Sequence, residues 1–323
     1  MSRWLLTGGA GYIGAHVARD LRASGREVVI IDDLSTGLIS RVPADVTVIE
    51  ESILDTDVVR RALDGVTGVV HLAAKKAVGE SVDQPMLYYR ENVGGMVSLL
   101  QAMEDAGTRC LVYSSSAAVY GEPPWSPISE DSPLQPLSPY GETKVIGEWL
   151  VRDAAAARSH ASTSVSPLSW ASLRYFNVAG AGAPHLGDTS VNNLIPMVLD
   201  ALDRGQAPQV FGTDYPTHDG SCVRDYIHVS DLAAAHVAAA DLVESAEVAA
   251  VYNVGTGVGS SVLEVMAVVS DVVGRDVGAV AAGRRAGDPP ELVAAVDRVR
   301  ADLDWSAQRT LRDMVASAYA ARA

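Results

Sequence analysis

The sequence predicts an α/β protein built on a doubly wound, Rossmann-type parallel sheet with a smaller C-terminal lobe. Three observations predict this fold. Short apolar runs alternate with longer amphipathic runs through the first half of the 323 residues, as strands alternate with helices. The run Gly68–Leu72 is almost continuously apolar, which is expected of a strand buried on both faces. A glycine-rich turn, Thr7–Gly14, links the first predicted strand to the first predicted helix.

The predicted elements follow one another in a regular order. Six β-branched or apolar runs are predicted as strands: Arg3–Thr7, Glu27–Asp32, Val46–Glu50, Gly68–Leu72, Cys110–Ser115 and Trp170–Tyr175. Four runs between them have helical spacing: Tyr12–Ser24, Asp55–Asp64, Gln84–Ala106 and Tyr140–Ala157. Because crossovers between such strands are right-handed, we expect the strands to lie parallel in one sheet.

The pattern changes after about Asn177, where Pro and Gly become frequent and the strand-like runs shorten. We therefore predict two domains, residues 1–176 and residues 177–323. Val251–Val254 has a strand-like sequence and is expected to return to the first sheet. A segment near 205–255 is thus predicted to complete the first domain.

The charge and composition disfavour several classes of protein. The formal net charge is −15 and no basic run is present, which argues against nucleic acid as a partner. No apolar stretch reaches the roughly 18 residues of a membrane-spanning helix. Cys110 and Cys222 are too few for a disulfide framework, and no metal-ligand spacing is seen, so no metal is expected. No secretory signal precedes the first strand, and a cytoplasmic location is expected.

The turn Thr7–Gly14 has the glycine spacing of a dinucleotide site and resembles that of extended short-chain dehydrogenases/reductases. Gly8 and Gly11 allow a tight turn and let a pyrophosphate approach the positive end of a helix. Gly14 lets that helix pack closely on the strand. Asp32 ends the second strand, where a carboxylate suits the ribose hydroxyls of NAD and repels the 2′-phosphate of NADP. NAD is therefore the predicted cofactor.

Tyr140 and Lys144 are four residues apart in a predicted helix, so their side chains share one face. A nearby ammonium group favours ionisation of a phenol, whose ordinary pKa is about 10. We expect Lys144, helped by a bound nicotinamide cation, to support Tyr140 as a phenolate base. Ser116 follows the fifth strand, at the edge where open α/β sheets bind ligands, and is expected to share the substrate's proton with Tyr140.

Longer segments of the chain resemble one family within that superfamily. The segments that carry the resemblance are His71–Ser81, Tyr88–Val93, Ser114–Gly121, Leu173–Asn177 and Val223–Val229. They resemble the UDP-galactose (UDP-glucose) 4-epimerases, and the resemblance runs from Arg3 to about Trp305. It implies a firmly bound NAD, a UDP-hexose substrate and a homodimer. The implied reaction oxidises the sugar at C4, rotates a 4-keto intermediate and reduces it again on its other face.

The resemblance also implies a role for individual residues. The implied catalytic set is Ser116, Tyr140 and Lys144. Residues 1–176 are implied to bind NAD, through Gly8, Gly11, Tyr12, Ile13, Gly14, Asp32, Ser52, Ile53, Leu72, Ala73, Ala74, Lys76, Asn92, Ser114, Tyr140, Lys144 and Phe176. Residues 177–323 are implied to form most of the UDP-sugar lobe, the contacts being Lys76, Ser116, Asn177, Asn193, Leu194, Phe211, Arg224, Arg285, Asp288 and Leu292.

Two positions depart from the family's pattern, and they leave alternatives open. Ser52 stands where an Asp commonly lies near the adenine, which predicts weaker anchoring of that base. Leu292 stands where a large Tyr or a small residue often edges the sugar pocket, so a 4-epimerase of UDP-N-acetylhexosamines or UDP-pentoses remains open. A 4,6-dehydratase is disfavoured because Ala117 and Ala118 replace the Asp and Glu that the elimination requires. A non-catalytic NAD sensor is disfavoured because the Tyr and Lys occur together.

Overall fold

A computed structural model of the chain describes residues 1–160, 166–285 and 288–322. Within these residues the strands are β1 Arg3–Thr7, β2 Glu27–Ile31, β3 Thr47–Ile49, β4 Gly68–His71, β5 Cys110–Ser116, β6 Ser169–Tyr175, β7 Asn177–Ala179, β8 Gln209–Phe211, β9 Val223–His228, β10 Ala249–Val254, β11 Gly259–Ser261, β12 Val280–Ala282 and β13 Glu291–Leu292. The α-helices are α1 Tyr12–Ala23, α2 Thr56–Ala62, α3 Val78–Asp83, α4 Pro85–Tyr88, α5 Gly95–Ala106, α6 Pro139–His160, α7 Leu194–Asp203, α8 Val229–Ser245, α9 Val262–Val273, α10 Asp297–Leu303 and α11 Leu311–Ala320. Short 3-10 helices lie at Ile39–Arg41, Ala117–Val119 and Pro184–Leu186.

In the described part of the chain, seven strands form one sheet in the order β10-β6-β5-β4-β1-β2-β3. The pairs β2–β3, β1–β2, β1–β4 and β4–β5 are parallel. The chain thus winds outward from β1 in both directions, and the loops that follow β1, β4 and β5 meet at one edge of the sheet. The predicted doubly wound sheet is confirmed, and Val251–Val254 returns to it within β10.

Apolar side chains on the strands and helices explain why this sheet is stable. Leu5, Val69 and Leu111 lie on three neighbouring strands and are fully buried. They share a core with Val59 of α2 and Leu99 of α5, which are equally inaccessible. Each such side chain contributes about 1.5–3 kcal/mol when it leaves water. The amphipathic spacing of α2 and α5 therefore directs them onto this face of the sheet.

The predicted helix Gln84–Ala106 is interrupted in the structure. Pro85 begins α4 because it has no amide hydrogen to satisfy, and Gln84 lies just outside the helix. A six-residue π-helix, Tyr89–Gly94, then separates α4 from α5. Such a turn inserts an extra residue and re-aims the side chains it carries, and it is frequent at functional sites. The periodicity of apolar residues does not reveal it, since the backbone stays in the right-handed helical region where α4 ends and where α5 begins.

Contacts divide the chain into two compact units. The first unit consists of Met1–Val119, Pro136–Arg174 and Ala233–Tyr252. The second consists of Tyr120–Gln135, Tyr175–Leu232 and Asn253–Ala323. The segment that returns to the first unit, Ala233–Tyr252, is shorter than the expected segment 205–255. Residues 120–135 belong to the second unit, although the sequence pattern assigns them to the domain 1–176.

Long-range contacts explain why residues 120–135 belong to the second unit. The Tyr120 hydroxyl donates to the Asn253 side-chain oxygen at 2.7 Å. The backbone amide of Ile128 donates to the carbonyl of Val293 at 2.8 Å, and Ile128 pairs with Ala294. These partners are more than 100 residues away along the chain, so local sequence patterns carry no trace of them.

A buried carboxylate organises the strands of the second unit. In the described residues, β9 pairs with β7, β11 and β13. Asp225 of β9 is fully buried and accepts hydrogen bonds from the amides of Thr256, Gly257 and Ala294. It thereby joins β9 to the segments that precede β11 and follow β13. Asp225 fixes the backbone on which its neighbour Arg224 is carried.

Across residues 1–160, 166–285 and 288–322, we find no helix with both the length and the apolar character needed to cross a membrane.

Candidate active site

The turn between β1 and α1 is shaped by two glycines. Gly8 has a φ of +72°, and a Cβ atom there would lie 2.7 Å from the amide nitrogen of Ala73. A Cβ atom on Gly14 would lie 2.7 Å from the Cα of Gly9 and closer still to the carbonyl oxygen of Gly8. Gly11 lies immediately before α1 with an extended backbone, and, since it has no side chain, no side-chain hydrogen bond caps the helix there. Such an uncapped, narrow turn at a helix N-terminus is suited to binding a phosphate through backbone amides.

Asp32 lies beside this turn, directly after β2. Its carboxylate accepts hydrogen bonds from the amides of Ala10 and Leu34, each at 2.9 Å. Burial raises the pKa of Asp32, whereas these two bonds act in the opposite direction. The structure therefore brings the carboxylate to the glycine turn, as the spacing from Gly14 predicts.

The loop after β4 is tied to the same turn. The Thr7 hydroxyl accepts from the amides of Leu72 and Ala73 at 3.2 Å and lies 2.7 Å from Nδ1 of His71. Burial and the charge of Lys144 lower the pKa of His71 to about 3, so this histidine is neutral. In the neutral tautomer that carries its proton on Nε2, His71 accepts the Thr7 hydroxyl proton at Nδ1. These contacts hold the start of the loop that contains Leu72, Ala73 and Ala74.

Asn92, an implied NAD contact, is positioned by the π-helix to bind protein groups. Its side-chain oxygen accepts from the amide of Lys75 at 2.8 Å. Its side-chain nitrogen donates to the carbonyl of Lys75 and to the hydroxyl of Thr143, both at 3.0 Å. Both amide hydrogens are therefore used, and Asn92 joins the loop before Lys76 to the residue preceding Lys144.

Ser116, Tyr140 and Lys144 come together at the end of β5. The Ser116 hydroxyl is hydrogen-bonded to the phenol of Tyr140. The Lys144 ammonium donates to the carbonyl oxygen of Ser114 at 2.7 Å and lies 5.8 Å from the centre of the Tyr140 ring. It also lies 5.2 Å from the ring centre of Tyr113. Only 4% of Lys144 is exposed, so a cation is enclosed beside a phenol, as the four-residue spacing predicts.

Burial acts on the protonation of both groups. It raises the pKa of Tyr140, and the bond from Ser116 only partly opposes this effect. It lowers the pKa of Lys144 to about 7, although the nearby Glu148 carboxylate raises it. Desolvation penalises both charged forms at once. Support of the phenolate by Lys144 together with a bound nicotinamide cation therefore stays a prediction.

The lowered pKa of Lys144 predicts a pH-dependent gain in stability on its removal. Because the ordinary lysine value is 10.5, the unfolded chain binds more protons between pH 7 and 10.5, and stability should rise with pH there. Below about pH 7, Lys144 is charged in the folded chain, and the loss of folding stability caused by burying this charge is complete. We expect Lys144→Met to be more stable than the parent by about 1–3 kcal/mol at pH 6. This advantage should shrink towards pH 10.

Urea unfolding of both proteins across this pH range measures the difference. The exposed Lys76 supplies a matched control, since Lys76→Met is expected to give no pH-dependent difference. A Lys144→Met variant that is less stable than the parent at pH 6 would contradict the prediction.

A buried ion pair that the sequence analysis did not identify lies one turn beyond Lys144. Arg174 donates from Nε and from a terminal nitrogen to the two oxygens of Glu148, at 2.8 and 2.5 Å. The side chains are 5% and 6% exposed. The sequence does contain a signal for Glu148, because Tyr140, Lys144 and Glu148 follow one another at intervals of four residues. No local signal identifies Arg174, because its carboxylate partner is 26 residues away.

In the second unit, several implied UDP-sugar contacts lie close to one another. A terminal nitrogen of Arg224 lies 3.3 Å from a carboxylate oxygen of Asp288. Leu292 pairs with Arg224 across β13 and β9, so the predicted sugar-edge residue is beside a predicted phosphate ligand. The exposed guanidinium of Arg285 lies 3.8 Å from the ring centre of Phe211 at the end of β8. The arrangement offers an aromatic face, two cations and a carboxylate.

The remaining predicted residues occupy less distinctive positions. Asn177 begins β7 opposite Tyr226, and Asn193 precedes α7 without a side-chain cap, followed by Leu194. The Ser52 hydroxyl accepts a hydrogen bond from the amide of Leu54 at 3.2 Å. A serine thus still provides one hydrogen bond at the position where the family commonly has an Asp. The ring of Tyr12 packs edge-on against that of His16, with the ring centres 5.6 Å apart. Ile13, Ile53 and Phe176 are partly or fully buried.

The described part of the chain holds neither a metal-ligand cluster nor a disulfide. Among the described residues, no group of three or more His, Cys, Asp or Glu side chains is placed to hold a metal ion. Cys110 and Cys222 are both buried as free thiols.

Comparisons with known proteins agree with this geometry. The model of the NAD dependent epimerase/dehydratase family matches residues 4–255. The UDP-glucose 4-epimerase of Corynebacterium glutamicum is 44% identical over 98% of this chain and 94% of its own. A UDP-glucose-4-epimerase of Stenotrophomonas maltophila, solved with bound NAD and formylated UDP-arabinopyranose, has a TM-score of 0.94 and 36% identity, covering 100% of this chain and 98% of its own.

A second solved structure extends the similarity. The UDP-glucose 4-epimerase of Brucella ovis, in complex with NAD, has a TM-score of 0.92 and 38% identity, covering 99% of this chain and 98% of its own. Over such lengths, these levels of identity establish common descent. The chain therefore belongs to the NAD dependent epimerase/dehydratase family, and the three relatives named above, which it matches over nearly its whole length, are UDP-glucose 4-epimerases.

Proposed function

We propose that this protein interconverts UDP-galactose and UDP-glucose by epimerisation at C4, with a firmly bound NAD. One observation carries the proposal: Ser116, Tyr140 and the buried Lys144 lie together at the carboxyl end of β5. That is the edge of an open α/β sheet where ligands bind. The named relatives that match almost the whole chain support the choice of reaction.

The residues of the first unit fit NAD. The cradle formed by Gly8 and Gly14 has no room for a Cβ atom, which is expected where backbone amides approach a pyrophosphate. Asp32 would accept from the ribose hydroxyls and would repel the 2′-phosphate of NADP. When bound, NAD supplies a reversible hydride acceptor for the sugar carbon and a positive charge on its nicotinamide ring.

In this proposal, Tyr140 moves the proton of the sugar 4-hydroxyl. Ser116 is bonded to the phenol and would bridge it to the substrate. Lys144 would favour the phenolate electrostatically, since its ammonium lies 5.8 Å from the ring centre. Tyr140 would then return the proton when the sugar is reduced on its other face. Because no net oxidation occurs, the protein must bind UDP tightly and the hexose loosely.

We assign UDP binding to the second unit. Arg224 and Arg285 would neutralise the pyrophosphate by charge-assisted bonds, for which the planar guanidinium is suited. Asp288, now 3.3 Å from Arg224, would accept from ribose hydroxyls. Phe211, against which Arg285 now stacks, offers a face for the uracil ring.

A second candidate substrate class is favoured by a specific residue. Leu292 is intermediate in size between the residues that often edge this pocket, and it pairs with Arg224. UDP-N-acetylhexosamines or UDP-pentoses would then be epimerised at C4 instead. A 4,6-dehydratase remains disfavoured, since Ala117 and Ala118 supply no carboxylate for elimination.

We also propose that the protein is a homodimer in the cytoplasm. Val97 of α5 and Trp149 of α6 are 39% and 48% exposed, although both are large and apolar. Helices α5 and α6 contact each other, and two such pairs would bury these side chains in a four-helix bundle. The free thiols of Cys110 and Cys222 accord with a reducing compartment.

Incubating the purified protein with UDP-galactose, without added NAD, tests the proposed reaction. A separate incubation with UDP-N-acetylgalactosamine tests the second candidate. Chromatography is expected to reveal UDP-glucose in the first incubation, and its formation without added NAD would show cofactor retention. Conversion of neither substrate, in protein that contains NAD, would overturn the proposal.

A further inference from the structure

Three side chains at successive turns of α6 differ in how the protein uses them. Tyr140 and Lys144 belong to the proposed catalytic set, whereas Glu148 has no role in the chemistry described above. Glu148 is nevertheless buried, which is expensive for a carboxylate unless its oxygens are paired. Its position one turn beyond Lys144 suggests that the pairing serves the lysine.

The bonds of Glu148 connect three elements. Arg174 on β6 binds both of its oxygens, and the hydroxyl of Ser115 on β5 donates to one of them at 2.5 Å. A bidentate guanidinium–carboxylate pair fixes orientation as well as distance. Glu148 is therefore held rigidly, and through it α6 is fastened to the middle of the sheet.

Three consecutive residues of β5 each make a contact with a different residue of α6. The carbonyl of Ser114 accepts from Lys144, the hydroxyl of Ser115 donates to Glu148, and the hydroxyl of Ser116 binds Tyr140. A shift of α6 along β5 would break all three contacts together. Both side chains of the middle contact, those of Ser115 and Glu148, are buried.

We propose that Glu148 is a positioning residue. Anchored by Arg174 and Ser115, it fixes the register of α6 on β5 and holds a negative charge one turn from Lys144. The relevance of this role to catalysis rests on the proposed function. The register and the charge are properties of the folded chain and do not depend on the proposed function.

The other groups around Lys144 supply no competing negative charge. His71 is neutral, Tyr113 presents the face of its ring, and the Tyr140 phenol is protonated while its pKa is raised. Glu148 raises the pKa of Lys144 against the effect of burial. Removal of its charge should therefore leave a larger fraction of Lys144 neutral near pH 7.

The composition of the chain makes a direct test practical. Only three of its 25 basic residues are lysines, Lys75, Lys76 and Lys144. Protein labelled with [13Cε]lysine would give three resonances, assigned by the variants Lys75→Arg and Lys76→Arg, so the titration of Lys144 is read without any substrate. In Glu148→Gln we expect the pKa of Lys144 to fall by about one pH unit. Lys76, which is exposed, should titrate unchanged.

Two further variants separate charge from geometry. Glu148→Asp keeps the charge and shortens the side chain, so the pKa of Lys144 should stay near the parent value while kcat falls. Asp153→Asn removes an exposed carboxylate from the same helix and should change neither quantity. If Glu148→Gln does not fold because Arg174 loses its partner, Glu148→Gln/Arg174→Gln also removes the guanidinium that would be left buried without its carboxylate. It should shift Lys144 in the same direction.

Turnover gives an independent readout. Since Lys144 must be protonated to favour the phenolate, activity falls as the pH rises through its pKa. In Glu148→Gln the alkaline limb of the kcat profile should move to lower pH by about one unit, with KM nearly unchanged. An unshifted Lys144 titration in folded Glu148→Gln, or in the double variant where Glu148→Gln does not fold, would overturn the inference. A shifted titration in a protein without epimerase activity would contradict only the proposed function.

Discussion

Tyr140→Phe is expected to lower kcat for UDP-galactose by about 10³-fold or more, with UDP binding nearly unchanged. The substitution removes one oxygen, which is the atom proposed to take the proton from the sugar and return it. The ring remains, and so does the cation of Lys144, which lies 5.8 Å from its centre. Initial rates and calorimetric titration with UDP measure the two quantities separately.

A matched tyrosine gives the control for this substitution. Tyr319 lies on α11 and is 44% exposed, so Tyr319→Phe removes a hydroxyl without touching the proposed site. It should retain full activity. Turnover by Tyr140→Phe within about tenfold of the parent would refute the assignment of the proton to Tyr140.

Gly14→Ala is expected to cost about 3 kcal/mol of stability and to reduce the NAD content of the purified protein at least tenfold. The new Cβ atom would lie 2.7 Å from the Cα of Gly9 and closer to the carbonyl oxygen of Gly8. Both neighbours are backbone, so relief requires α1 to move away from β1. That movement opens the turn proposed to bind the pyrophosphate. Urea unfolding and assay of NAD released on denaturation measure both effects.

Gly79 provides a glycine without such neighbours. It lies in α3, and a Cβ atom there would meet nothing within 4 Å. Gly79→Ala should leave the NAD content unchanged and raise stability by up to about 1 kcal/mol, because alanine favours a helix. A Gly14→Ala protein with normal stability and NAD content would show that the close packing at this turn is unimportant.

Local physics explains why the first unit was predictable. The first five strands of the sheet are short and apolar and alternate with helices, so their positions can be read from neighbouring residues alone. The glycines at 8 and 14 are required by the backbone of one turn, and Tyr140 and Lys144 share a face because four residues span one helical turn. These relations act over a few residues and remain visible in the chain.

The second unit was less predictable because its order depends on distant partners. Its strands β11, β12 and β13 have only two or three residues each, too few for a pattern of alternation. The buried Asp225 joins segments that are about 30 and 70 residues away. The π-helix Tyr89–Gly94, which interrupts the predicted helix, likewise carries Asn92, whose partners Lys75 and Thr143 are 17 and 51 residues away.

The sequence by itself determined the doubly wound sheet, the glycine turn with Asp32, and the residues that would act on the substrate. Only the tertiary structure decided the protonation of the site and its supporting contacts. Lys144 has a pKa of about 7 because the folded chain removes water from it, and Arg174 reaches Glu148 because β6 passes beside α6. Desolvation and contact between distant segments arise when the chain is packed, so no local pattern of residues encodes them.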